Sequence, residues 1–418
     1  MQTLFACSTF ALAVTLSVTR PRLGVRLRIG PAVATTAGAA LLLVSNTVSP
    51  EDVAAVGRML WRPLLTILAI MITTAAAARV GAIDRLAYLA FARTAGSTGR
   101  LYAGVFLLGF VTAALLNNDA AILLLTPLVL TFVTVRYPDQ PRLLLAFAFA
   151  VFMSAGVAPF VVSNPMNVIV ASYAGLNFNA YASTMLPISV IGSLVTFGVL
   201  RWVFRADLAA AKPADDRSPT PVATTAQRRM LCLLLIVLGS YPVAAVISDS
   251  STWLVSCLGA AAALWVAHRD GTSPAHLLRR GIAWEVAIFL PAMLVLATGL
   301  RNVGLVDYLA SWYRNASVAL LGATAAVGSA VLNNHPMALM NTLALDLRPE
   351  AGTREFLAVL VGGDLGPRLL PVGSLAGLLW LDCCRRRGVV VALRQFVRVG
   401  VVATIPTLAV SLLLLSLW

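Results

Sequence analysis

Apolar stretches long enough to cross a membrane follow one another along nearly the whole chain. A helix needs about 20 mostly apolar residues to span the hydrocarbon core of a bilayer, and ten stretches come near that length. They are residues 4–19, 29–48, 60–78, 143–171, 184–204, 230–248, 252–267, 282–300, 355–381 and 399–418. The pattern predicts an all-α polytopic membrane protein with about ten transmembrane helices.

Two further apolar stretches, 101–135 and 316–345, each carry a polar centre. Each is too long for one helix and too polar in the middle for two full ones. Irregular backbone at membrane depth is tolerated only where protein or water surrounds it, so both stretches are predicted to be re-entrant hairpins. The polar centres are Asn117, Asn118 and Asp119 in the first hairpin, and Asn333, Asn334 and His335 in the second.

Two of the predicted spans, 143–171 and 355–381, are interrupted by glycine and proline. Such interruptions free backbone amides and carbonyls, and a broken helix presents the positive end of its dipole to an oxygen-rich solute. The polar residues at the interruptions are Ser163, Asn164 and Asn167 in the first broken helix, and Asp364, Gly373 and Ser374 in the second. Two polar interruptions in each half indicate a binding site where the halves meet.

The chain divides into two similar halves. Residues 206–229 form a polar, proline-rich cytoplasmic linker between them, and the segment 79–87 matches 301–310 with one insertion. Both matching segments stand just before a hairpin and are predicted to be short interfacial helices. Because the predicted orientation places them on opposite sides of the membrane, the halves are expected to be inverted-topology repeats.

Composition and charge agree with a membrane protein. Of the 418 residues, 59% are hydrophobic and 11% are charged, and the mean hydropathy is +0.88. The net charge of +14 does not indicate nucleic-acid binding, because the basic residues lie in short loops between apolar spans. Most of them fall in loops that the positive-inside rule then assigns to the cytoplasm. These loops are 20–28, 79–100, 136–142, 201–229, 268–281 and 382–398.

The sequence carries little that would indicate an enzyme. The five cysteines show no metal-ligand spacing. Neither a Ser–His arrangement nor a His-Glu-x-x-His motif is found. We therefore expect no catalytic centre, no resident metal and no cofactor.

Four motifs resemble the arsenite and antimonite efflux permeases of the ion transporter superfamily. The motifs are Leu116-Asn117-Asn118-Asp119 running to Thr126-Pro127, Val162-Ser163-Asn164-Pro165-Met166-Asn167, Leu332-Asn333-Asn334-His335-Pro336, and Gly363-Asp364-Leu365-Gly366-Pro367 running to Gly373-Ser374-Leu375-Ala376. The resemblance extends from about residue 55 to the C-terminus and includes the order and spacing of the motifs. The last motif is its most specific part.

The resemblance implies an inverted-repeat carrier of the bacterial inner membrane with a scaffold and a moving transport domain. It implies export of trivalent arsenic or antimony as the hydroxide, with proton influx as the driving force and alternating access of the elevator type. An arsenical ATPase subunit joins some members, and a homodimer is left open. The implied organisation is scaffold helices 1–54, first repeat 55–205, linker 206–229, scaffold helices 230–281 and second repeat 282–418.

Arsenous acid is a small trihydroxide that is uncharged near neutral pH, so its site needs donors and acceptors and no opposite charge. Amide and hydroxyl side chains offer both. The expected substrate-binding residues are Asn117, Asn118, Ser163, Asn164, Asn167, Asn333, Asn334, Gly373 and Ser374. Proton coupling needs a group that titrates, and the candidates are Asp119, Asp364 and His335.

Two related functions remain open on the sequence: a Na⁺/H⁺ antiporter and an anion carrier of the same superfamily. A cation site would be expected to show more carboxylates at the interruptions than this chain has. An anion site would call for basic groups there, and Arg368 is the only one near. An uncharged polyhydroxide therefore fits the residues better.

Overall fold

The computed structural model describes residues 1–23, 27–93, 97–212, 222–248, 252–282 and 284–418. The helices of the first half are α1 Gln2–Thr19, α2 Pro31–Val44, α3 Pro50–Arg79, α4 Ala82–Arg93, α5 Thr98–Leu115, α6 Asn118–Arg136, α7 Pro141–Ser154, α8 Pro165–Tyr173, α9 Phe178–Val203 and α10 Arg205–Ala210. Those of the second half are α11 Thr225–Ile247, α12 Thr252–Arg269, α13 Pro274–Arg280, α14 Trp284–Asn302, α15 Leu305–Tyr313, α16 Val318–Leu332, α17 Asn334–Asp346, α18 Thr353–Leu365, α19 Leu375–Arg386 and α20 Leu393–Leu417.

Short non-α elements connect some of these helices. Two two-residue strands, β1 Arg22–Leu23 and β2 Leu27–Arg28, pair antiparallel between α1 and α2. Single turns of 3₁₀ helix cover Val161–Ser163, Gly366–Arg368 and Pro371–Gly373. The protein is thus essentially all-α, as the apolar pattern predicts. The three 3₁₀ turns lie where the two predicted spans, 143–171 and 355–381, are interrupted.

In the described part of the chain, six helices are long and apolar enough to cross a membrane: α3, α5, α9, α11, α14 and α20. The two long spans expected at 143–171 and 355–381 are not continuous helices. The first is divided into α7 and α8, and the second into α18 and α19. The hairpin 101–135 was expected to contain no full membrane span. Its first arm, α5, has 18 residues, which is about 27 Å at 1.5 Å per residue and long enough to cross a membrane.

Two matching glycine turns follow the corresponding helices α3 and α14. Gly81 and Gly304 have φ values of 75° and 80°, the left-handed region that glycine adopts without a steric penalty. The short helices α4 and α15 begin directly after these turns. They were expected to begin at Arg79 and Arg301, which is wrong: both arginines lie in the last turn of the preceding helix.

The packing of the helices follows the same scheme in both halves. The pair α1–α2 packs on α14, and the pair α11–α12 packs on α3, chiefly through α12. In each half the hairpin, α5–α6 or α16–α17, packs against the first part of the broken helix, α7 or α18. Across the halves, α6 contacts α19 and α17 contacts α8, so each hairpin touches the other half's broken helix.

Glycines bring α18 unusually close to α16. A Cβ atom at Gly362 would lie 2.1 Å from the carbonyl oxygen of Gly322, and one at Gly366 would lie 2.3 Å from that of Ala326. Real Cβ atoms do not approach backbone so closely, so both positions require glycine. The second hairpin and the second broken helix are therefore packed backbone to backbone.

Candidate functional site

The first interruption, between α7 and α8, is held by side chains from neighbouring elements. Asn118 Nδ2 donates to the Gly156 carbonyl at 3.2 Å, and Ser163 Oγ donates to the Ala114 carbonyl at 3.0 Å. The helix α8 then begins under a cap, because Asn164 Oδ1 accepts the Met166 amide at 3.2 Å. Polar groups that a membrane-embedded chain cannot leave unpaired are thus satisfied by the first hairpin and by the interruption itself.

Asp364, from the end of α18, reaches into this interruption and is 7% exposed. Its Oδ1 accepts Asn164 Nδ2 at 2.8 Å. Its Oδ2 accepts the Ala158 amide at 3.0 Å and Asn167 Nδ2 at 3.3 Å. An ionised carboxylate is an acceptor only, and all three of these partners are donors. The contacts join two segments that are about 200 residues apart in sequence.

Tyr181 extends this network to α9. The Asn167 amide donates to the Tyr181 hydroxyl at 2.7 Å, and the hydroxyl donates to the Ala158 carbonyl at 3.1 Å. Asn167 and Tyr181 are fully buried. Ala158 is therefore bound through its amide by Asp364 and through its carbonyl by Tyr181, which determines the course of the backbone through the interruption.

Arg368 lies four residues after Asp364 and is 2% exposed. Its guanidinium donates to the Met153 carbonyl and, at 3.2 Å, to Thr196 Oγ1. Met153 is in the last turn of α7, where unpaired carbonyls and the negative end of the helix dipole favour a cation. Asp364 and Arg368 thus satisfy the Ala158 amide on one side of the first interruption and the Met153 carbonyl on the other.

The second interruption, between α18 and α19, has a related arrangement. Asn333 Nδ2 donates to the Val372 carbonyl at 3.3 Å, as Asn118 does to Gly156. Ser374 Oγ accepts the Gly377 amide at 2.9 Å and caps α19, as Asn164 caps α8. Asn333 has φ 77° and ψ 147°, a conformation that is strained for any residue other than glycine. Strain of this kind concentrates at functional sites.

The tips of the two hairpins meet at one cavity of about 580 Å³ of empty space, partly open to the surroundings. Asp119 comes from the first hairpin, and Asn333 and His335 come from the second. The remaining wall is formed by α1, α2, α14 and α19. It consists of Val14, Ser17, Pro31, Glu285, Val286, Phe289, Met293 and Leu378, and Pro336 adds to the part formed by the second hairpin.

The polar groups of the cavity differ in how they are paired. Glu285 accepts a hydrogen bond from Arg20 at 3.2 Å, and the two form an ion pair near the rim. The His335 ring stands edge-on to Phe289 with 5.7 Å between ring centres, and its Nε2 is buried without a hydrogen-bond partner in the described residues. Asp119 is partly exposed in the cavity. Unpaired polar atoms facing a cavity can bind a guest.

The residues expected to bind substrate separate into groups with different surroundings. Asn333 lines the cavity, together with Asp119 and His335 from the proton-coupling candidates. Asn117 and Asn334 are buried next to the tips, and the Asn334 side-chain oxygen is without a partner in the described residues. Most of the others pair with backbone at the interruptions: Asn118, Ser163, Asn164, Asp364 and Ser374. Asn167 binds the side chains of Tyr181 and Asp364, and its Oδ1 is buried without a partner in the described residues, whereas Gly373 packs there.

Gly373 packs against hairpin backbone. A Cβ atom there would lie 2.7 Å from the Cα atom of Pro367 and 3.1 Å from that of Ala330, so glycine is needed for close approach to α16. Tyr181, Glu285, Phe289 and Met293 are not among the residues that the sequence pattern predicts. Each lies in or beside an ordinary apolar span, where nothing in the local pattern separates it from a packing residue.

Apolar helices of membrane-crossing length, two interrupted helices and two polar tips at a shared cavity define a multi-pass membrane transporter. The chain belongs to the arsenical pump membrane protein family, whose model matches residues 5–418. It is 31% identical to an arsenical pump membrane protein of Yersinia enterocolitica, with 99% of this chain and 98% of the relative covered. An arsenical pump membrane protein of Escherichia coli K12 is 30% identical at the same coverage.

The fold is also similar to a solved structure, the YdaH transporter of Alcanivorax borkumensis. The TM-score is 0.60 at 15% sequence identity, with 100% of this chain and 98% of the transporter covered. At this identity the likeness concerns the fold alone. Together with the family it confirms the expected class, an all-α multi-pass protein of the bacterial cell membrane.

Proposed function

We propose that this protein exports trivalent arsenic and antimony from the cytoplasm as the uncharged hydroxide, in exchange for protons. The observation that carries the proposal is the cavity to which the first hairpin contributes Asp119 and the second contributes Asn333 and His335. A site shared by the tips of both halves is what a carrier built from repeats requires. The family, whose members are named arsenical pumps, supplies the substrate class.

The charges around the cavity favour an uncharged guest. Glu285 is balanced by Arg20, which leaves Asp119 as the carboxylate of the lining that has no ion pair in the described residues. Arg368, the basic group that an anion carrier would need, is bound to Met153 and Thr196 away from the cavity lining. An anion carrier is therefore disfavoured, and a Na⁺/H⁺ antiporter is the second candidate because Asp119 faces the cavity.

We assign proton coupling to Asp119 before Asp364. Asp119 faces the cavity, the place where the proposed guest and water would reach a carboxylate. Asp364 accepts three hydrogen bonds inside the first interruption, and a proton added there would displace a donor. His335, with its unpaired Nε2, can bind a substrate hydroxyl or pass a proton.

An elevator motion is consistent with where the cavity lies. Its wall joins α1, α2 and α14, which we assign to the scaffold, to the hairpin tips and α19, which we assign to the transport domain. Pro31 and Glu285 of its wall, and Arg20, which pairs with Glu285, lie at or beside loops that the positive-inside rule assigns to the cytoplasm. The proposed state is therefore open to the cytoplasm. An ATPase subunit and a homodimer stay predictions.

Everted membrane vesicles with an acidic interior test the proposal. We expect uptake of As(III) and Sb(III) that stops when the pH gradient is dissipated, and no Na⁺ uptake. Asp119→Asn should abolish the dependence on the pH gradient, whereas the exposed Asp307→Asn on α15 should behave like the wild type. Gradient-driven Na⁺ movement without As(III) movement would favour the second candidate. Gradient-dependent uptake by Asp119→Asn would remove Asp119 from the coupling role.

A further inference from the structure

An ion pair between Arg20 and Glu285 stands at the cytoplasmic end of the cavity. Arg20 Nη2 lies 3.2 Å from Glu285 Oε2, and Glu285 is in the first turn of α14, just after a loop that the positive-inside rule assigns to the cytoplasm. From Glu285 the lining follows α14 inward through Phe289 to Met293, a rise of about 12 Å. A solute that enters from the cytoplasm therefore meets this ion pair before the hairpin tips.

The connection between α1 and α2 places two residues against the Glu285 carboxylate. Its strands β1 and β2 pair antiparallel, and the Ile29 amide donates to the Pro21 carbonyl at 3.0 Å. This pairing brings Arg20 and Gly30 together beside Glu285. A Cβ atom at Gly30 would lie 2.1 Å from Glu285 Oε1, so a side chain there would displace the carboxylate. Both oxygens of Glu285 are thus placed by this connection.

Arg20 is held at some cost. Its backbone is left-handed, with φ 47° and ψ 53°, a region that glycine adopts readily and other residues do not. Its Nε is buried without a hydrogen-bond partner in the described residues, which is also unfavourable. The side chains of Arg20 and Glu285 are 28% and 39% exposed, and ion pairs this accessible add little to stability. Strain of this kind is typical of functional sites.

The positive charge of Arg20 decides how much negative charge surrounds the cavity. Asp119 and Glu285 both line it, together with the Ser17 hydroxyl, and none of the described lining residues is lysine or arginine. Without Arg20, two carboxylates and a hydroxyl would face one space, and oxygen ligands of this kind suit hard cations. With Arg20 in place, the charge of Asp119 remains, which the proposed function uses for protons.

We propose that Arg20 is a specificity-determining residue that keeps inorganic cations out of the cavity by neutralising Glu285. This role rests on the proposed function, because it separates a site for the uncharged hydroxide from a site for Na⁺. An uncharged trihydroxide gains nothing from a net charge, whereas Na⁺ is attracted by each carboxylate that is not compensated. Loss of Arg20 therefore makes the cavity attractive to cations and leaves the groups that face the hydroxide in place.

Inhibition of As(III) uptake by Na⁺ in everted vesicles tests the proposal. NaCl replaces choline chloride at the cytoplasmic face, at constant ionic strength and constant pH gradient. Na⁺ should half-inhibit Arg20→Gln at a concentration about fivefold lower than the wild type. This is the equivalent of about 1 kcal/mol, the interaction of two unit charges about 4 Å apart in water. In choline chloride the half-saturating As(III) concentration should stay within about twofold of the wild type.

Two variants separate the neutralisation of Glu285 from a general loss of positive charge. Arg20→Gln combined with Glu285→Gln removes both charges and should return Na⁺ inhibition to the wild-type value. Arg386→Gln removes a cytoplasmic charge that pairs with Asp382 at 2.8 Å, outside the cavity lining, and should leave the inhibition unchanged. If Arg20→Gln responds like the wild type, or if either control responds like Arg20→Gln, the role of Arg20 is refuted while the proposed function stands.

Melting temperatures provide a readout that does not depend on transport. A cation that binds the folded protein raises its melting temperature, so purified Arg20→Gln should melt higher in NaCl than in choline chloride. The wild type and the double variant should melt alike in the two salts. If Arg20→Gln shows no such difference, the role of Arg20 is refuted. If the difference is seen but wild-type vesicles move no As(III), the proposed function fails while the neutralisation by Arg20 stands.

Discussion

Replacing Asp364 by asparagine is expected to destabilise the protein rather than to uncouple transport from the pH gradient. The two oxygens of Asp364 accept the Ala158 amide, Asn164 Nδ2 and Asn167 Nδ2. Asparagine has one acceptor oxygen, and its amide would point at a donor whichever way it is turned. Either the hydrogen bond from Asn164 or the two hydrogen bonds to the other oxygen must therefore break.

The magnitude follows from how many hydrogen bonds the asparagine cannot make. Hydrogen bonds to a charged group contribute about 1.5–3 kcal/mol each, so breaking one or two removes about 1.5–6 kcal/mol. Interhelical hydrogen bonds measured inside membranes average about 0.6 kcal/mol, which gives a lower bound of about 1 kcal/mol. The variant also removes the negative charge that interacts with the buried guanidinium of Arg368, and a buried charge that loses its compensation is destabilising. Stability is normally about 5–15 kcal/mol in total.

The assay is thermal unfolding of the purified protein in detergent, followed by size-exclusion chromatography. Asp364→Asn should melt at a lower temperature than the wild type. Asp119→Asn, the same chemical change at a cavity-facing carboxylate, should melt at the wild-type temperature or above it. The fraction of Asp364→Asn that remains folded, reconstituted into liposomes, should still depend on the pH gradient.

One combination of results would refute these roles for the two acids. If Asp364→Asn melts like the wild type and transports As(III) without regard to the pH gradient, Asp364 carries the proton and Asp119 does not. Arg368→Met provides a second variant, because it should destabilise the same region by removing the hydrogen bonds to Met153 and Thr196.

Three further predictions concern packing, the hydrogen-bond network and the cavity. Gly362→Ala should lower stability by about 1–3 kcal/mol or more through overpacking against α16, whereas Gly198→Ala, with open space around it, should raise stability by up to about 1 kcal/mol; melting temperatures compare the two. Tyr181→Phe should cost about 1–3 kcal/mol, because the Ala158 carbonyl loses its side-chain donor and Asn167 loses one of its two acceptors, and wild-type melting would contradict this. His335→Gln should raise the half-saturating As(III) concentration about tenfold with gradient dependence intact in vesicle uptake, and an unchanged value would place the substrate elsewhere.

Local sequence was sufficient for the helices and their interruptions. Single prolines such as Pro63 and Pro127 lie inside continuous helices. Where proline, glycine and asparagine cluster in an apolar run, the helix is interrupted, so the breaks near Asn164 and Ser374 and the tips at Asn118 and Asn333 could be located from the chain alone. The family could be recognised from the same motifs, because they are contiguous. The helix ends were less certain: α4 and α15 begin later than expected, since the glycine turn, not the arginine, starts them.

Only the tertiary structure separates polar residues that face the cavity from polar residues that hold the helix interruptions together. Asp119 and Asp364 look alike in sequence, as acids beside a helix interruption, yet one faces a cavity and the other accepts three hydrogen bonds from the opposite half. Those partners are about 200 residues away in sequence. A buried carboxylate is stable only where packed helices place hydrogen-bond donors around it. A local sequence pattern cannot show which distant segments supply those donors. For the same reason, the sequence does not show that Phe289 and Met293 line the cavity: they do so because the fold packs α14 beside the hairpin tips.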